Sequence, residues 1–313
     1  MKLELGVLDL VPAPAGTDSA AALRQAVLLA RTAERTGYRR YWAAEHHDLP
    51  GLACSAPEVL LAHLAALTER IRLGTGALLL PHYRPVKVAE TFRLLASLAP
   101  GRIDLGIGRA PGGSAHITMA LSGNFLENVR RFPESLAALL ELLTDEYRIE
   151  GEPVTARPVP PEAPEVWLLG TNRRSCSHAA GQGTGYVFGQ FMSDLDGTEV
   201  VREYREHFRP SRLTPSPRVI VAVGAVCADS SEEARRLAAN VPWSGPRETA
   251  EAANFADWKL LAGRPDEVRE RLEALAEGFG TNEFLIVTPI NDYRKRLRSY
   301  ELLAGAVYGF AEG

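Results

Sequence analysis

The stretch from Ile71 to Gly113 constrains this chain most. Residues 71–80, IRLGTGALLL, are an almost unbroken run of apolar and small side chains, which predicts a buried strand. Residues 86–99 place apolar side chains three and four apart, the period of a helix packed on one face. A Pro100–Gly101 turn leads into a second short strand, Ile103 to Gly108, which ends on Arg109. Neither strand shows the polar alternation of a half-exposed sheet, so the unit predicts parallel strands covered by helices. Gly106, Gly108, Gly112 and Gly113 flank Arg109 and set a permanent cation where backbone can come close to a ligand. In a parallel α/β fold, that strand edge is where ligands bind.

The same alternation runs through the rest of the chain. Leu3 to Leu10 is the first predicted strand, and Asp18 or Ser19 opens a helix that Gly37 stops. Arg39 to Ala44 is the second strand and delivers Glu45, His46 and His47 to its C-terminal end. Ser55 with Glu58 three residues on, and Pro57 near the helix start, reads as a capping box. Phe125 to Leu143 reads as one helix that Pro133 must kink or divide. Further strands are expected at 166–169, 185–189, 218–228 and 283–288, with Asp229 and Glu232 capping the helix after the seventh. Eight strands alternating with helices predict one α/β domain over residues 1–313, a (β/α)8 TIM barrel. Short excursions interrupt it after the fourth helix (144–165) and after strand seven (242–259).

At 313 residues the chain has an ordinary length for such a barrel. Its formal charge of −4, without clustered Lys or Arg, argues against nucleic acid as a partner. No apolar run approaches membrane-spanning length, and the opening MKLELGVLDL lacks a basic-then-apolar leader, so a cytoplasmic protein is expected. Cys54, Cys176 and Cys227 are too scattered for a disulfide framework or a metal site, and no metal is expected.

Several polar residues fall at the C-terminal ends of predicted strands, where a barrel builds its active site. Adjacent residues point in roughly opposite directions, so one of His46 and His47 can face the mouth while the other packs behind it. A structural role for both is the plainer alternative. Glycines within residues 74–77 mark a bulge, a close backbone approach or simply tight packing. Arg109 suits a phosphate because a guanidinium grips two oxygens at once, although a strand-end salt bridge would also employ it. Gly170, Thr171 and Asn172 precede a predicted helix whose first N–H groups suit the same phosphate. Arg174 either adds a second cation there or faces solvent. The sequence GIGRAPGG is not a dinucleotide fingerprint, because Pro111 and Gly112–Gly113 lead into a loop instead of opening a helix. Asp9 and Asp104 read as structural ties. Leu10, Phe188, Phe191, Met192 and Trp243 are the apolar candidates for a substrate pocket, and residues 119–125 are either a lid or a static loop.

Taken in order, EHH at Glu45–His47, GTGALLLPHYRP and GRIDLGIGRAPGG resemble the bacterial-luciferase-like flavin monooxygenases, most of all their single-chain oxidoreductase group. The resemblance spans essentially the whole chain. It implies reduced FMN (FMNH2) as cofactor and reaction with O2 through a C4a-peroxyflavin to oxygenate a small organic substrate. It also implies that His46 lies beside the reactive edge of the flavin and that a non-prolyl cis peptide joins Gly76 to Ala77 under the ring. The cofactor phosphate would rest on Arg109 and on Gly170, Thr171 and Asn172. Here Asn172, Arg173 and Arg174 stand where small hydroxyl residues are usual in the family. The chain shows no NAD(P)H-binding unit, so a separate NAD(P)H–flavin reductase is an expected partner. A homodimer through helices near the second and third strands is the family habit, and Ala62, Ala65 and Ala66 would permit close approach. The alternatives on the same barrel are an F420-dependent hydride-transferring oxidoreductase and a non-catalytic flavin-binding protein.

Overall fold

Alternating side chains along each apolar run must bury two faces at once, and a closed ring of strands inside a coat of helices does so. The computed structural model describes residues 2–239 and 259–309 and has this architecture. Strands β1 (Glu4–Asp9) and β2 (Arg40–Ala43) are joined by α1 (Ser19–Arg35), whose N-cap Asp18 accepts the Ala21 N–H at 2.5 Å. Helix α2 (Pro57–Ala65) leads to β3 (Arg72–Thr75) and the two-residue β4 (Leu78–Leu79), and α3 (Pro85–Leu98) leads to β5 (Ile103–Gly108). After β5 come α4 (Ala115–Ser122), α5 (Phe125–Arg130), α6 (Phe132–Thr144) and a small hairpin, β6 (Arg148–Ile149) with β7 (Glu152–Pro153). Next follow β8 (Glu165–Gly170), α7 (Arg173–Gln182), β9 (Gly185–Gly189), α8 (Gly197–Glu206), β10 (Val219–Cys227) and α9 (Ser231–Ala238). The last elements are β11 (Leu260–Gly263), α10 (Pro265–Phe279), β12 (Glu283–Val287) and α11 (Tyr293–Tyr308).

The ring runs β1–β2–β3–β5–β8–β9–β10–β12, and parallel pairing of β12 with β1 closes it, with Glu4 opposite Glu283. This is the (β/α)8 barrel that the sequence predicts. Leu8, Trp42, Trp167, Val187, Ile220 and Leu285 form the interior cluster, whereas Val7, Tyr41, Leu105 and Ile286 pack in the larger cluster with the helices. Both predicted ties are present. Asp104, near the start of β5, accepts Arg40 Nη1 at 2.6 Å, Arg72 Nη2 at 2.6 Å and Trp42 Nε1 at 2.9 Å. Asp9 accepts Tyr41 Oη at 2.7 Å and Arg296 Nη2 at 2.8 Å.

The structure corrects several local readings. The third strand is not continuous over 71–80: it breaks between β3 and β4 at the cis peptide Gly76–Ala77. Across the break Thr75 Oγ1 donates to the Gly106 carbonyl at 2.8 Å and accepts the Gly106 N–H at 3.1 Å, in place of ladder bonds. A Cβ at Gly106 would lie 2.0 Å from the Thr75 carbonyl oxygen, so this approach requires glycine. Pro133 divides the predicted 125–143 helix, standing in the first turn of α6, and residues 115–122 form a helix where a glycine-rich loop is expected. Ser55 does not cap α2: Ala56 holds the N-cap position without a side-chain bond. The cap of α9 is Ser230, which accepts the Glu233 N–H, and not Asp229. Strand β11, unread in the sequence because LLAG is too short to show a period, adds to β10 outside the ring. Of the predicted excursion at 242–259, residues 242–258, Trp243 among them, lie outside the described residues.

Candidate active site

The C-terminal ends of the strands surround a cavity of about 680 Å³. Its apolar wall is built by Leu8, Leu10, Leu168, Leu169, Val187, Phe191, Met192 and Ala222. Of the apolar substrate candidates, Leu10, Phe191 and Met192 therefore reach it. Phe188 does not: it points into the helix layer, buried against Phe279 with ring centroids 6.0 Å apart. Successive strand residues face opposite sides, so Val187 takes the inward position and Phe188 cannot.

His46, Gly76, Ala77, Arg109, Gly170, Thr171 and Asn172 all line this cavity, although they come from four separate strand ends. His46 Nδ1 is buried without a hydrogen-bond partner among the described residues. Burial, and then the neighbouring His47, hold the His46 imidazole below the usual histidine range, so it is neutral at pH 7. His47 turns the other way and donates from Nε2 to Glu45 Oε1 at 2.7 Å. The same oxygen accepts Tyr83 Oη at 2.8 Å, and Glu45 Oε2 accepts the Leu79 N–H at 2.8 Å. Glu45 thus ties the loop carrying His46 to β4 and to the turn that follows it. Burial, then the Glu45 carboxylate, push the Tyr83 phenol well above its usual range, so it remains a donor.

A second group gathers where β5 and β8 end. Arg109 Nη1 and His178 Nε2 are buried without partners among the described residues, and both residues line the cavity. Burial and then Arg174 lower the pKa of Arg109, and burial, Arg109 and Arg174 lower that of His178. Arg174 itself is exposed and does not line the wall, yet its charge acts on both. Helix α7 starts here with a reciprocal cap, in which Asn172 Oδ1 accepts the Ser175 N–H at 3.1 Å and Ser175 Oγ stands 3.4 Å from the Asn172 N–H. The cap engages the Ser175 N–H, and the first N–H groups of a helix have no intrahelical partner, which makes such a terminus suited to an anion. A Cβ at Gly170 would lie 2.0 Å from Ser175 Oγ, so glycine lets the helix start fold back on the strand end. Ser193 Oγ donates to the Thr171 carbonyl at 2.8 Å and holds the Phe191–Met192 turn against this loop.

Two residues were missed as site members by the sequence reading. Glu45 was legible only as part of EHH, and its three-donor role depends on partners 2, 34 and 38 residues away. His178 carried no signal of its own beyond standing four residues after Arg174, on the same helix face. Among the described residues, no group of three or more His, Cys, Asp or Glu is placed to hold a metal, and no helix is long and apolar enough to cross a membrane.

Comparison with known proteins follows the same lines. The family model described as luciferase-like monooxygenase matches residues 3–301. The chain is 37% identical over 334 residues to an N-acetyl-S-alkylcysteine monooxygenase of Bacillus subtilis, covering 97% of this chain and 98% of that one. The crystal structure of apo-MsnO8 superposes with a TM-score of 0.85 at 35% identity, over 99% of this chain and 100% of that one. Two more distant structures share the fold. They are the oxygenating constituent of 3,6-diketocamphane monooxygenase of Pseudomonas putida in complex with FMN (TM-score 0.75, 22% identity, 100% and 99% coverage) and an F420-dependent secondary alcohol dehydrogenase (0.62, 15%, 98% and 99%). A match of this extent places the chain in the luciferase-like monooxygenase family.

Proposed function

We propose that this chain is a flavin-dependent monooxygenase that takes reduced FMN from a separate NAD(P)H–flavin reductase and uses O2 to oxygenate a small organic substrate. One observation carries the reading. A largely apolar cavity sized for a cofactor and a small substrate has two buried nitrogen atoms, Arg109 Nη1 and His178 Nε2, without partners among the described residues, and a neutral imidazole, His46, in its wall. The family match supports oxygenation, and the FMN complex of the more distant diketocamphane enzyme supports FMN.

In this reading Arg109, Thr171 and the first-turn N–H groups of α7 bind the phosphate, with Gly170 and Asn172 shaping the helix start. Arg174 adds charge from the surface. Gly76 and Ala77 present a wall without bulk, which suits a flat ring laid against it. When bound, reduced flavin supplies the electrons that activate O2. His46 accepts or returns a proton at Nδ1 beside the ring, and its neutral state at pH 7 makes it a base first. Leu8, Leu168, Val187 and Ala222 keep water from the reacting atoms.

The test is equilibrium titration of wild type and Arg109→Ala with FMN and with riboflavin, which lacks the phosphate. Loss of a charge-assisted contact of about 1.5–3 kcal/mol should weaken FMN by roughly 10- to 100-fold and leave riboflavin within a few-fold. An equal loss for both flavins refutes the phosphate assignment. Tight binding of F420 with anaerobic hydride transfer, and no oxygenation with FMNH2, would replace the monooxygenase reading by the F420-dependent one.

A further inference from the structure

His178 stands on α7, one turn after Arg174 and on the same face. Its ring leans on Phe132 of α6, with centroids 5.8 Å apart and planes tilted by 59°. The residue lines the cavity, and Nε2 is buried with no partner among the described residues. A buried polar atom without a partner is costly, and natural proteins seldom retain one unless something arrives to satisfy it. Arg109 Nη1 is in the same condition in the same cavity.

The charges that act on the imidazole are all of one sign. Arg109 approaches from the end of β5 and Arg174 from its own helix. Helix α6 presents the Phe132 ring, and the ends of β8 and β9 present Gly170, Thr171 and Gly189, none of them charged. The carboxylates of α8, Glu199 and Glu203, are engaged by Arg173. Among the described residues, no acid neutralises the pair of guanidinium groups at this end of the cavity. A neutral imidazole beside two cations fits a ligand group that brings two negative charges.

We propose that His178 is a third donor to the phosphate held by Arg109, that it takes a proton from solvent as that phosphate binds, and that the site thereby selects a terminal phosphomonoester over a phosphodiester. The inference rests on the FMN reading above and adds to it a residue and a selectivity. A phosphomonoester carries close to two charges and three acceptor oxygens above its second ionisation, whereas a diester carries one charge and two free oxygens. Three cationic donors match the first and over-supply the second.

The sign of the pH dependence follows. Burial, Arg109 and Arg174 hold His178 below the usual histidine range in the free protein, so it enters the complex neutral. A bound dianion favours the imidazolium, so binding takes up a proton and affinity falls as pH rises towards the bound-state pKa. His46 also lines the cavity, but it faces the flavin ring in every flavin and cancels in a comparison of FMN with riboflavin.

The experiment is fluorescence titration of the full chain with oxidised FMN, riboflavin and the methyl ester of FMN, a diester of nearly the same size. It runs from about pH 6.5 to 8.5, above the second phosphate ionisation at roughly pH 6. Wild type should bind FMN more weakly as pH rises, by up to roughly tenfold per unit, with riboflavin flat. The methyl ester should bind about tenfold more weakly than FMN and with little pH dependence. His178→Gln keeps polarity without a titrating charge, so it should lose about tenfold in FMN affinity together with the pH slope, and leave riboflavin unchanged. FMN affinity and slope that survive in His178→Gln, or an ester that matches FMN in wild type, overturn this inference and leave the FMN reading standing. Wild type binding FMN and riboflavin equally would overturn both.

Discussion

Replacing Glu45 by Gln tests how the loop carrying His46 is held. The carboxylate is 2% exposed and receives three donors on two oxygens: His47 Nε2 at 2.7 Å, Tyr83 Oη at 2.8 Å and the Leu79 N–H at 2.8 Å. An amide has the same shape but only one oxygen. If that oxygen keeps His47 and Tyr83, the NH2 group confronts the Leu79 N–H, and one buried donor is left unpaired. That costs about 1–3 kcal/mol, whereas Glu45→Ala strands all three donors and costs roughly 3–6 kcal/mol, a large share of a typical stability of about 5–15 kcal/mol. Urea unfolding should therefore show Glu45→Gln with a lowered midpoint and an unchanged slope. Tyr83→Phe in the same background should give a coupling of about 0.5–3 kcal/mol, because the two groups share one oxygen. A Glu45→Gln midpoint equal to wild type, or strict additivity with Tyr83→Phe, would refute the shared-acceptor account.

Three further outcomes are expected. His46→Ala should lower turnover by about 10²- to 10⁴-fold with FMN affinity within a few-fold. Wild-type activity should fall as pH drops below the ordinary histidine value of about 6.5, where the depressed His46 finally protonates, and a mutant as active as wild type in single-turnover oxidation would favour a non-catalytic flavin binder. Asp104→Ala should cost about 3–5 kcal/mol, since Arg40 and Arg72 lose their shared buried acceptor. Burial works to raise the pKa of Asp104, but Arg40, then Arg72 and Trp42, hold it below the usual range, so its contribution is present above about pH 4 and lost as acid titrates it; a mutant with an unchanged acid-unfolding curve counts against this. We also propose a homodimer through α2 and α3, where Val59, Leu94 and Leu98 are 65%, 50% and 63% exposed. Sedimentation equilibrium should show Leu94→Glu/Leu98→Glu as a monomer, and a 34.0 kDa wild-type species across the micromolar range would rule the dimer out.

The barrel was legible in the chain because strands buried on both faces leave uninterrupted apolar runs, and helices between them leave a 3.6-residue period. His46, Arg109 and residues 170–172 were legible for a related reason: in this architecture strand ends converge, so polar residues just past a strand point to one place. Local chemistry was less secure. The cap at Asp229 failed because the adjacent Ser230 offers an equivalent acceptor, and the cap at Ser55 failed because the helix starts one residue later, with Ala56 at the N-cap position. Phe188 failed through register, which one residue inverts and which only the pairing of β9 with β8 and β10 decides. The roles of Glu45 and His178 were beyond any sequence pattern, since each depends on side chains brought from elements far apart in the chain. The sequence by itself determined the ring of strands and the end at which the cavity lies, because both follow from periodicity and chain direction. Tertiary structure alone decided which buried polar atoms, on Arg109, His178 and His46, have no partner among the described residues, because satisfaction of a buried group is a property of everything packed around it.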